Sequence, residues 1–99
     1  MINERSNQDF AVKIQDEALL IVLEVERHSI VLFHALIEGY DGLATVKTID
    51  EANGIIAIIT TPDFKSVVFD FLQSVREDLP WRSYDQEIET EKLFEYREV

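Results

Sequence analysis

Two short apolar runs constrain this chain more than anything else in it. Residues 18–25 read Ala-Leu-Leu-Ile-Val-Leu-Glu-Val, and residues 55–60 read Ile-Ile-Ala-Ile-Ile-Thr. Each is short and rich in branched side chains. Runs of that kind read as strands carrying apolar groups on both faces, so the sheet that holds them must be covered twice. At 99 residues the chain is the size of one domain and leaves no room for a second. Both runs therefore belong to the same sheet.

The segments around them supply the remaining elements. Residues 30–38 predict a helix with Ser29 as its cap and Gly39 as its terminator. Tyr40, Asp41 and Gly42 read as a turn. Residues 43–49 set Leu43, Thr45, Lys47 and Ile49 against Ala44, Val46 and Thr48, the mixed pattern of an edge strand. Asn53-Gly54 is a hairpin signal. Thr61 followed by Pro62 predicts the cap and first position of a second helix. Its inner face would hold Phe64, Val68, Phe71, Leu72, Val75 and Leu79, and Pro80 would stop it. Residues 81–88 form a weaker strand. The order β-α-β-β-α-β is the split βαβ arrangement: an α+β, ferredoxin-like sandwich with a four-stranded antiparallel sheet and two helices on one face. The reading places the domain at residues 10–90, with a flexible N-terminus at 1–9 and an acidic extension at 91–99. From Asp85 onward there are six acids and two bases.

Charge and composition exclude several classes of function. The net charge is −11, which opposes binding to nucleic acid or to anionic membranes. There is no cysteine, so disulfides, thiol catalysis, Cys-based zinc sites and iron–sulfur clusters are excluded. The polar, acid-bearing start lacks the basic stretch and apolar run of a signal peptide, and no apolar segment nears the ~20 residues needed to span a bilayer. A cytoplasmic protein is expected.

The stretch from Ile37 through Gly42 to Asp50, followed by Gly54 and an apolar strand, carries a resemblance. From about Glu24 to Leu79 the chain looks like a group of small bacterial domains of unknown function, similar in outline to ACT-like regulatory domains. The resemblance implies an ACT-like version of the ferredoxin-like fold. It also implies a small ligand bound at a dimer interface, through the loop between the first strand and first helix. Here that loop is Glu26-Arg27-His28-Ser29, without the glycine such loops usually carry. Other occupants of the fold fit less well. Acylphosphatases need a glycine-containing phosphate loop around an arginine, and Arg27 has no glycine beside it. Metal chaperones of this fold use paired cysteines. RNA-recognition modules need aromatics on the central strands, and residues 19–23 and 55–59 have none.

Few residues point to chemistry. His34 and Glu38 share a helix face, but two ligands fall short of a metal site, so neither metal nor cofactor is expected. His28 has no nucleophile or oxyanion partner in sequence, and an enzyme is not expected. The ligand-binding candidates are Arg27, His28, Ser29, Tyr40 and Asp41. The interface candidates are Leu20, Val22, Ile56, Ile58, Trp81 and Tyr84, the last two beside Arg82 in a compact aromatic and cationic group. Two covers are available for the sheet face without helices: a second copy of the chain, or the stretch Leu93-Phe94-Glu95-Tyr96 folded back. The acids of that stretch suit solvent, so the expectation is a homodimer. The reading is a dimeric regulatory or small-molecule-sensing module. The alternative is a protein-interaction subunit docking through its sheet face or acidic tail.

Overall fold

A computed structural model of the chain describes residues 11–15, 18–39 and 44–85. The elements are β1 (Val12–Gln15), β2 (Ala18–Val25), a 3-10 turn (Arg27–Ser29), α1 (Ile30–Glu38), β3 (Thr45–Asp50), β4 (Ile55–Thr60), α2 (Lys65–Val75) and β5 (Trp81–Ser83). Strands β5, β2, β4 and β3 lie side by side in that order, and all pairings are antiparallel. This is the ferredoxin-like order, with the two apolar runs at the centre and the mixed strands at the edges. No helix among the described residues is long and apolar enough to cross a membrane.

Strand β1 is an addition to the expected set. It pairs antiparallel with Ala18, Leu19 and Leu20, while β5 pairs with Leu23, Glu24 and Val25. The two short strands thus share one side of β2, one along each half. Four residues of alternating sequence are too few to announce a strand on their own. Strand β5 covers three residues, not the eight expected, and residues 86–88 lie outside the described residues.

Helix α1 runs over the expected residues with Ser29 and Gly39 at its ends but without the expected side-chain cap, and α2 starts later than expected. A capping side chain must come from a residue in extended conformation. Ser29 has φ −93° and ψ −6°, makes no side-chain cap bond, and closes a 3-10 turn by donating its N–H to Glu26 O at 2.8 Å. Thr61 begins a turn: its carbonyl accepts the Phe64 N–H at 3.0 Å, and α2 starts only at Lys65. Phe64, expected on the inner face, is exposed, and Phe69 takes its place in the core.

One face of the sheet is packed by both helices. Ile21, Leu23, Ile56 and Ile58 meet Phe33, Ile37, Phe69 and Leu72 there, each no more than 1 % exposed. Polar bonds stitch α1 to β3: the Val46 N–H donates to Glu38 Oε2 at 2.9 Å, and His34 Nε2 shares a hydrogen bond with Thr48 Oγ1 at 3.0 Å. The β3–β4 hairpin turns at Gly54, whose φ of +72° favours glycine. A Cβ there would also run into the Val25 carbonyl, and the Gly54 carbonyl accepts the Val25 N–H at 2.7 Å.

Candidate functional site

The end of the sheet where β2 finishes and β5 begins carries a shallow groove of about 240 Å³, lined by Glu24, Val25, Glu26, Pro80, Trp81 and Arg82. Pro80 ends the turn after α2 and delivers Trp81 to the partner position of Val25. Trp81 is buried, and its indole N–H donates to the Leu72 carbonyl at 2.7 Å. That bond satisfies the ring's only donor and fixes its orientation. The Arg76 guanidinium sits 4.0 Å from the ring centroid, a cation–π contact that holds the other side. Arg82 pairs with Glu24, its Nε and Nη2 at 3.0 and 2.9 Å from the same carboxylate oxygen. The ion pair is largely exposed and contributes little to stability, so both groups are available for exchange with a ligand.

Of the expected ligand residues, Arg27, His28 and Ser29 make up the 3-10 turn between β2 and α1. Arg27 and His28 are exposed on the 3-10 turn beside the groove, and His28 Nε2 lies 3.3 Å from Glu26 Oε1. Ser29 is buried. Tyr40 and Asp41 lie outside the described residues. The His34–Glu38 pair is engaged otherwise. Its Nδ1 and Oε1 atoms are 3.9 Å apart, and each residue is already bonded to β3. Among the described residues no group of three or more His, Asp or Glu side chains is placed to hold a metal ion. At the neighbouring hairpin, Asp50 accepts the Asn53 side-chain amide at 2.8 Å and its backbone N–H at 3.2 Å. These bonds hold its carboxyl below the ordinary value.

The expected interface set is divided by register. Leu20 faces Ile59 and Val22 faces Ala57, so even-numbered residues of β2 meet odd-numbered residues of β4. Ile56, Ile58 and Trp81 therefore lie in the helix-covered core. Leu20, Val22 and Tyr84 share the second face with Ile55, Ala57 and Ile59. Within the single chain Leu20, Val22, Ile55 and Ala57 are 4, 9, 3 and 0 % exposed. This burial removes the second face as an open apolar surface. The exposed large apolar groups are elsewhere, with Val31 at 78 % and Leu32 at 46 % on the first turn of α1.

Residues 23–78 match the family model described as Domain of unknown function (DUF4911), more than half of the chain. The chain belongs to the DUF4911 family. The match begins in β2 and ends just after α2, so it contains α1, β3, β4 and α2 in full. Of the groove it holds Glu24, Val25 and Glu26, and of the aromatic–cationic group it holds Arg76. Pro80, Trp81 and Arg82 stand outside it. No curated protein and no solved structure matches the chain. Sequence reasoning grouped Trp81 with Arg82 but missed Arg76, Glu24 and Glu26. The β2–β5 pairing, which joins residues 58 apart such as Glu24 and Arg82, brings the two glutamates to this group, and Arg76 reaches Trp81 from the end of α2.

Proposed function

We propose that this DUF4911 domain is a non-enzymatic, ACT-like regulatory module that senses a small molecule as a dimer. The observation that supports the reading is the place of the groove. It lies against the loop after the first core strand, where an ACT-like domain takes its ligand. Its lining sets an apolar base of Val25, Pro80 and Trp81 beside two carboxylates and the Arg82 guanidinium. That mixture suits a small zwitterion, whose ammonium meets Glu24 or Glu26 and whose carboxylate meets Arg82. A volume of about 240 Å³ is below the range of drug-sized pockets and fits a ligand of amino-acid size. The groove is open to solvent, and a second copy of the chain supplies the missing wall. Val31 and Leu32, exposed just after the 27–29 turn, give that copy an apolar contact.

A thermal-shift screen of the full chain against free amino acids, nucleotides and divalent metals tests this. A binding zwitterion at a hundred times its Kd stabilises the fold by about 2.7 kcal/mol. Arg82→Ala abolishes that shift, and light scattering gives the mass of two chains with the ligand present. No shift with any class, together with a one-chain mass at all concentrations, contradicts the sensing role. The same exposed Val31 and Leu32 favour a second reading, a docking subunit for another protein. Such a subunit gains no stability from metabolites.

A further inference from the structure

We infer that the second face of the sheet is an intramolecular docking surface, and that its occupant is the chain's own C-terminal segment, residues 86–99. The inference is independent of the sensing role. Four apolar side chains at the centre of that face are less than a tenth exposed in a single chain. Helices α1 and α2 pack on the opposite face and cover none of them. Ile49, Ile59 and Tyr84 pack beside them in the same layer. Strand β1 widens the sheet at its edge and does not cross it. The cover must therefore come from another part of the same chain.

Two segments are long enough. Residues 1–10 offer Met1, Ile2 and Phe10 among polar neighbours. Residues 86–99 offer Ile88, Leu93, Phe94, Tyr96 and Val99. The starting point also favours the C-terminal segment. The Tyr84 N–H donates to the Val22 carbonyl at 2.9 Å, and Tyr84 packs against the buried group, so the chain leaves β5 at the margin of this face. Crossing from β2 over β4 to β3 takes two strand spacings, about 10 Å, and fourteen residues cover about 21 Å even as a helix. Charge agrees. Lys47, opposite Ala57, stands on this face beside the Arg82–Glu24 pair, and the segment carries five glutamates against Lys92 and Arg97.

The chain has no cysteine, so one introduced thiol carries a spin label without interference. A nitroxide on the Tyr96→Cys variant of the full chain is read by paramagnetic broadening of backbone amides. The expected result is severalfold signal loss at Leu20, Val22, Ala57 and Lys47, with none at Ser66 or Asp70 on α2. A second sample mixes isotope-labelled chain without nitroxide and unlabelled chain with it, and is expected to show no broadening. Broadening of the same amides in the mixed sample would assign the cover to a second copy and overturn the proposal. Absence of selective broadening at the face would overturn it as well. A chain shortened after Asp85 gives an independent readout: it should bind a hydrophobic dye severalfold more strongly than the full chain, and equal binding would contradict the proposal.

Discussion

The two faces of the sheet are made by the same two central strands, residue by alternate residue, yet they are closed in different ways. Ile21, Leu23, Ile56 and Ile58 meet two helices whose aromatic and branched residues interlock with them. Leu20, Val22, Ile55 and Ala57 are smaller in total, lie one residue away along the same strands, and are buried with no helix among the described residues over them. The difference teaches that a run such as Leu19 to Leu23 states how many covers a sheet requires without stating what kind. A split βαβ topology supplies two helices and both go to one side. The second cover has to be added to the fold, and the segment proposed for it lies beyond the match to the DUF4911 family, which ends at residue 78.

Substitutions on the helix side set the upper end of the comparison. Phe33 is wholly buried between α1 and the sheet, and Phe33→Ala should cost about 3–5 kcal/mol in urea unfolding. A loss below about 1 kcal/mol would mean that the helix layer is loosely packed. At the end of the sheet where both layers finish, Gly54→Ala combines a left-handed φ with a clash against Val25, and should cost about 1–3 kcal/mol. Trp81→Phe keeps the ring on the helix side but removes the donor to Leu72, and a loss near 1 kcal/mol is expected from the same measurement. An unchanged midpoint would show that the carbonyl finds another partner.

The smallest effect is a pH dependence outside both layers. The Asn53 bonds lower the Asp50 pKa in the folded chain, so the folded state favours the carboxylate. Their stabilisation is present above the ordinary aspartate pKa and is lost as pH falls through the lowered folded value. Asp50→Asn should flatten that part of the stability profile. An identical acid limb in the variant would place the dependence on other groups.

The sequence displayed the sheet better than its attachments. Residues 18–25 and 55–60 announce central strands by length and apolar content, and Asn53-Gly54 announces the hairpin. The caps misled because Ser29, though suitable in type, has a helical backbone and makes no cap bond, and because a turn at residues 61–64 delays α2 to Lys65. Ile56 and Ile58 went to the wrong face because composition cannot set register, and a shift of one residue exchanges the faces. The groove was legible only as Trp81 and Arg82. Its other wall belongs to a strand almost sixty residues earlier.

Leu20 and Leu23 offer the most direct test of a sheet buried on both sides. They are the same residue on the same strand, on opposite faces, with 4 and 0 % exposure. Urea unfolding of Leu20→Ala and Leu23→Ala compares the two covers without changing the chemistry. The account predicts that each costs about 2–5 kcal/mol, as truncation of a buried leucine does. A Leu20→Ala loss of about 0.5 kcal/mol or less, the effect of a surface substitution, beside a large loss for Leu23→Ala, would contradict it.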